Sequence, residues 1–273
     1  MSKILVSFGD SWPWGAELDS LASPELFAEL SADSQEKLSK IIGSAPLVTG
    51  ADHDSLAEKI RSSFAYPYVV AEHLKCDQVV DLSGKGTSLN HLFLELCKFK
   101  QIHDRNPDNQ YIFLVSLTTM YRDLFFDQAT GEPREIMPYA DTAWYYRHID
   151  VEHTGAVNWI RIVSLFQLFC RQHQIPDFYF QEFTDLTDFQ LRMEDYQAMI
   201  DWNRVYDQGH GSFITHFQAC AEQTVTPHGK FNTDKLRHYF HPCVNHPNIT
   251  GHEEISRCVL NFIKLLNPEL SPT

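Results

Sequence analysis

Two short segments near opposite ends of the chain hold residue types suited to acyl transfer. The first is Phe8-Gly-Asp-Ser-Trp12, directly after an apolar run. The second is His246-Pro-Asn-Ile-Thr-Gly-His252, directly before the last helical stretch. A serine hydroxyl becomes a nucleophile when a base within hydrogen-bond reach takes its proton, and histidine suits that task near neutral pH. Ser11 would attack an ester carbonyl, and His246 would take the proton and later return it. The N–H of Ser11 would face the developing oxyanion. Trp12, next in the chain, would form a wall of the pocket. Asp10 reads as a carboxylate that caps nearby backbone N–H groups and holds the turn. The nucleophile elbow of α/β-hydrolases, Gly-x-Ser-x-Gly, is absent, because Pro13 stands where its second glycine belongs.

Other segments invite other chemistries. Ser83-Gly-Lys-Gly-Thr-Ser88 has a phosphate-binding composition, but Lys85 is followed by Gly86 rather than Ser or Thr, and Val79 replaces the first P-loop glycine. Leu89 likewise breaks a Gly-x-Gly-x-x-Gly pattern. No nucleotide cofactor is expected. His238, His241, Cys243 and His246 are zinc-ligand types, yet H-x-x-H-x-C-x-x-H matches no standard spacing, so no metal is expected either. Asn90, early in a helical stretch, is a supporting candidate whose commoner role is a local backbone bond.

An open sheet would position these residues. Lys3 to Phe8 reads as a buried parallel strand closed by Gly9, which lets the chain turn. Strands are also expected over Gln78–Leu82, Gln110–Leu117 and Asp177–Phe183. Helices are expected over Pro24–Ile42, Ser55–Leu74 (broken by Pro67), Ser88–Lys100 and Gly155–His173. Thr187–Tyr206 reads as an acidic helical stretch. The last helix reads as starting at an N-cap Thr250 with Glu253 completing a capping box. No final strand is placed between 207 and 245. The alternation predicts an α/β fold: a three-layer α/β/α sandwich on a flavodoxin-like parallel sheet of about five strands. Ligands in such sheets bind at the carboxyl ends of the strands, where Ser11 falls. The chain is read as one domain, 1–273, with insertions near 16–56, 121–150 and 185–235.

These blocks together resemble the SGNH (GDSL) hydrolase family. Gly9-Asp10-Ser11 after the first strand and His246-Pro-x-x-x-Gly-His252 before the last helix are its outer blocks. Asp81-Leu-Ser-Gly-Lys-Gly86-Thr-Ser-Leu-Asn90 resembles its second block, with Gly86 at the oxyanion-hole glycine. The third block normally reads Gly-x-Asn; Ser116-Leu117-Thr118 stands there, which puts Thr118 at the asparagine position. The acid normally three residues before the histidine is Cys243. The resemblance implies catalysis by Ser11 and His246, with Ser11, Gly86 and Thr118 forming the oxyanion hole. Losing one donor of such a hole costs about 10²–10³ in rate. Without the acid, a backbone carbonyl or a carboxylate from an insertion would orient His246. The implied substrates are small acyl esters, among them acetyl groups on carbohydrates, with no cofactor.

Composition sets outer limits. With 22 basic and 36 acidic residues the formal charge is −14, which disfavours nucleic acid and anionic membrane as main partners. No apolar run approaches the roughly 20 residues of a membrane span. The six cysteines form no CxxC pair and are expected as free thiols. No export signal is read at the N-terminus, so a non-secreted, cytoplasmic protein is expected. The alternative to an enzyme is a catalytically silent SGNH-fold module that binds or builds within a larger assembly or particle, since fold does not imply activity.

Overall fold

The first strand, β1 (Lys3–Gly9), is apolar on both faces, and Leu5, Val6, Ser7 and Phe8 are all buried. A strand buried on both faces belongs in the middle of a parallel sheet. In the computed structural model β1 lies between β2 (Gln78–Ser83) and β3 (Gln110–Leu117), with β6 (Asp177–Gln181) beyond β3. The order is β2-β1-β3-β6 and every pairing is parallel. Ser83 pairs beside Gly9, and Leu117 pairs beside Gln181, so the carboxyl ends of the four strands lie along one edge. The structure describes residues 1–10, 12–15, 18, 32–42, 52–84, 87–119, 122–126, 133–136, 151–182, 198–220, 239–240 and 246–270. The chain divides into two compact units, Met1–Asp10 with Cys76–His216, and Ser11–Lys75 with Phe217–Thr273.

The first unit holds the sheet and its crossover helices, α4 (Leu89–Arg105) and α5 (Val151–His173). Parallel neighbours need such crossovers, since a tight hairpin cannot join them. Apolar residues at helical spacing, Leu92, Leu96 and Phe99 on α4 and Trp159, Val163 and Phe166 on α5, share one core with the sheet. Phe8 sits at its centre, 4.8 Å from the Phe113 ring and 4.9 Å edge-on to Phe166. Between β3 and α5 a two-stranded antiparallel ribbon, β4 (Asp123–Phe126) and β5 (Pro133–Ile136), falls inside the expected 121–150 insertion. Of the helical stretch expected over Thr187–Tyr206 only residues 198–206 are described, and these are not α-helical. Residues 183–197 lie outside the described residues, and Trp202–Arg204 and Tyr206–Gly209 are 3₁₀ turns. The Asp201 side chain accepts from the Asn203 N–H, a local bond that favours a turn over an α-helix. Val205 then makes a single parallel bridge to Tyr179 of β6.

The second unit holds α1 (Ala32–Ile42), α2 (Asp52–Phe64), α3 (Tyr66–His73) and α7 (Ile249–Leu266); α6 (Phe213–Cys220) spans the boundary between the two units. The predicted helix over Ser55–Leu74 divides at Ala65, which is extended. Pro67 falls in the first turn of α3, where its missing N–H leaves no helical bond unmade. α7 packs chiefly on α3. Its start differs from the expected capping box. Asn248, not Thr250, is the N-cap, and its Oδ1 accepts from the Gly251 N–H at 3.0 Å. Pro247 pairs with Phe240 in an antiparallel bridge, so the turn into the helix is made two residues before Thr250. The described cysteines, Cys76, Cys97, Cys170, Cys220 and Cys258, are free thiols, and no helix among the described residues is long and apolar enough to cross a membrane.

Gly251 carries a steric demand. A Cβ at this position would lie 2.2 Å from the Tyr239 carbonyl oxygen and 2.9 Å from the Pro247 ring. Gly251→Ala must push the Tyr239 backbone away from α7, so a loss of about 2–3 kcal/mol in urea unfolding is expected. A change below about 0.5 kcal/mol would contradict the close approach.

Candidate functional site at the carboxyl edge of the sheet

Gly9 ends β1 at φ +155°, a conformation that side chains disfavour. Its carbonyl accepts two hydrogen bonds, from the Gly84 N–H at 3.1 Å and from the Thr87 hydroxyl at 2.9 Å. Gly84 and Thr87 flank Lys85-Gly86, so the residues on either side of that pair are fastened to the residue two before Ser11. The Ser7 and Ser83 hydroxyls, two residues before Gly9 and one before Gly84, lie 3.2 Å apart. Ser88 then caps α4, accepting from the His91 N–H. Ser11 and Gly86 themselves lie outside the described residues.

Asp10, fully buried, follows. Its Oδ2 accepts from the Thr118 hydroxyl at 2.7 Å and from Arg122 Nη1 at 2.9 Å, and Arg122 also donates to Thr118 Oγ1 at 3.2 Å. A buried carboxylate is costly unless it is paired and hydrogen-bonded, and here a guanidinium and a hydroxyl meet it together. Asp10 therefore uses side chains from beyond β3, in addition to any role in its own turn. A hydroxyl has one proton, and that of Thr118 goes to Asp10. An oxyanion could use it only after that bond broke.

Glu182, the first residue past β6, completes the cluster. It is fully buried, its Oε1 accepts from the Ser116 hydroxyl at 2.5 Å, and its Oε2 has no hydrogen-bond partner among the described residues. Its backbone is held on both sides, N–H to the Leu117 carbonyl and carbonyl to the Ile214 N–H. Burial, and then the neighbouring Asp10, raise its carboxyl well above the usual carboxylate range. Glu182 thus lies beside the Asp10–Arg122 ion pair in surroundings that favour its neutral form.

The histidine segment is built separately, within the second unit. Phe240 bridges to Pro247, the Asn248 N–H donates to the Tyr239 carbonyl at 2.9 Å, and Asn248 Nδ2 donates to the Phe240 carbonyl. His246, directly before this clasp, is half-buried with its Nδ1 inside. Trp12 is fully buried against Phe240, with ring centroids 5.6 Å apart, and against Phe217 at 6.5 Å. The neighbour of Ser11 and the neighbour of His246 thus meet through Phe240. Farther along, His252 is buried on α7, and its Nδ1 accepts the Tyr66 N–H at 3.3 Å. That bond satisfies one of the open N–H groups at the start of α3.

The other sequence candidates are placed as follows. Asn90 accepts from Arg161 of α5, linking the two crossover helices by side chains. Cys243, His238 and His241 lie outside the described residues. Sequence reasoning missed Arg122 and Glu182. Glu182 carried a usable signal: a charged residue ending the apolar run Phe178-Tyr-Phe180 falls at the carboxyl edge. Arg122 carried none, lying in an insertion far from Asp10 in sequence. No protein-family model matches the chain, and no curated protein does.

His252 gives this segment a pH signature. Burial, and after it the nearby His246, push its imidazole down to about 3. Between the ordinary imidazole range and that value the unfolded chain binds a proton that the folded chain refuses. Stability therefore rises with pH through this window and is lost as pH falls, at about 1.4 kcal/mol per unit. Urea unfolding of His252→Gln should show a shallower decline from pH near 6.5 downward than the wild type; equal slopes would contradict a buried neutral His252.

Proposed function

We propose that the chain is a serine esterase of SGNH/GDSL type, with a three-layer α/β/α sheet core, acting on small acyl esters such as acetyl groups on carbohydrates. The observation that carries this reading is the Trp12–Phe240–Pro247 contact. It ties the residue after Ser11 to the residue after His246, although the two lie far apart in sequence. A nucleophile and base need that kind of enforced proximity. The fastening of Gly84 and Thr87 to the Gly9 carbonyl supports Gly86 as an oxyanion donor beside the Ser11 N–H.

In the proposed reaction the Ser11 hydroxyl oxygen attacks the ester carbonyl while His246 removes its proton. The tetrahedral oxyanion is held by the Ser11 and Gly86 N–H groups, with Thr118 as the third residue of the proposed hole. His246 then returns the proton to the departing alkoxide, leaving an acyl-Ser11 ester. Water attacks that ester with His246 again as base, and the acid product leaves. The non-catalytic reading draws on two observations: Cys243 in place of the usual acid, and the use of the Thr118 proton by Asp10.

Steady-state hydrolysis of p-nitrophenyl acetate separates the two. Ser11→Ala and His246→Ala should each lower kcat/KM by about 10³-fold or more, and the double variant should lose little beyond either single one. Wild-type turnover equal to that of Ser11→Ala would favour the silent module.

A further inference from the structure

We infer that the outer face of α5 is a docking groove for a partner's amphipathic helix, one whose apolar stripe carries an acidic residue at each end. α5 is apolar on two sides. Its inner side packs on the sheet through Trp159, Val163 and Phe166. A surface helix ordinarily turns a polar face outward. Here Val157 is 40% exposed, Leu165 37% and Leu168 60%, and their spacing of i, i+8 and i+11 sets them on one stripe. Met199, 60% exposed, lines the same groove, whose volume is about 550 Å³. The wall that carries Met199 is fastened to α5. The Gln167 side chain donates to the Asp201 carbonyl at 3.0 Å and accepts from the Asp201 N–H at 2.8 Å. The groove is therefore formed without a partner, and exposed apolar area gathered in one concave place marks an interaction site.

Charge selects the occupant. Arg161 and Arg171 also line the groove, and no acid among the described residues does. Neither guanidinium has an ion-pair partner among the described residues: Arg161 donates to the neutral Asn90 side chain, and Arg171 is exposed. Asp201, on the wall, has its carboxylate turned to the Asn203 N–H. In a chain of net charge −14 this groove is a local reversal of sign, and it attracts acids. The two arginines stand about 15 Å apart along the α5 axis, ten residues at the helical rise. A partner helix lying along α5 spans that distance with an acid at each end, and its i, i+4, i+7 and i+11 residues meet the apolar stripe. A single carboxylate on an acyl chain would reach one arginine and leave the other. A second copy would bring two more arginines and no acid. A bilayer is flat where the groove is concave, and two cations attract an anionic surface weakly against the charge of the whole chain.

Fluorescence anisotropy with the full chain and two labelled peptides tests the assignment. Each peptide is an alanine-based helix of about 18 residues with leucines at i, i+4, i+7 and i+11. One carries a glutamate at each end of that stripe, and its twin carries lysines there. The wild type should bind the glutamate peptide saturably and the lysine twin at least about 10-fold more weakly. Leu168→Glu, at an exposed position, should weaken the glutamate peptide by about 10-fold or more. Arg161→Glu/Arg171→Glu should reverse the preference, and its gain for the lysine twin shows that the double variant is folded. No saturable binding of the glutamate peptide, equal binding of the two peptides, or an unchanged preference in the double variant would overturn the proposal. A wild-type dimer in sedimentation velocity that Leu168→Glu dissociates would overturn it in favour of a second copy. Flotation with phosphatidylglycerol vesicles that Leu168→Glu abolishes would overturn it in favour of a membrane surface.

Discussion

A buried carboxylate at the end of the central strand is the constraint from which the sheet's carboxyl edge follows. Asp10 is fully buried in a chain that carries an excess of acids. An unpaired charge there would cost several kcal/mol, enough to unfold many domains. Two side chains from beyond β3 answer that cost. Arg122 brings a positive charge and Thr118 a hydroxyl proton. Both tie the chain after β3 to the end of β1, so the charge that threatens the fold fixes the edge on which the proposed chemistry takes place.

The two sequence blocks that suggested catalysis turn out to be mostly scaffold. Gly9 turns the chain and gathers Gly84 and Thr87 on its carbonyl. Asp10 anchors the neighbouring strand ends. At the other end of the chain, Pro247 bridges to Phe240, Asn248 caps α7, Gly251 admits the Tyr239 carbonyl and His252 caps α3. Once these residues have structural work, Ser11 and His246 are what the blocks leave for the proposed chemistry.

How much could be read from sequence depended on whether a signal was local. β1 and β3 were legible because each is a short apolar run with a clear stop, and the crossover helices because their apolar residues recur at helical spacing. The α7 cap was misjudged by two residues. Thr250 and Glu253 satisfy the capping-box pattern whereas Asn248 has only the N-cap preference, and the long-range bridge from Phe240 decides between them. At the end of the helical stretch expected before Tyr206, Trp202–Arg204 forms a 3₁₀ turn, and Val205 beyond it bridges to β6. The Asp10 cluster lay furthest from view. Its members are 108, 112 and more than 150 positions apart from Asp10 in the chain, and only parallel pairing brings them together. Hydrogen-bond chemistry of this kind leaves no periodicity to detect.

The central claim is that Ser11 is an activated nucleophile served by His246. Labelling with a fluorophosphonate, followed by mass spectrometry of the digested protein, tests it most directly, because the reagent phosphonylates an activated serine whatever the natural ester. The account predicts one adduct per chain on the peptide carrying Ser11, formed far more slowly in His246→Ala. Folded protein that takes up no label at Ser11, or takes it up equally fast without His246, would contradict it.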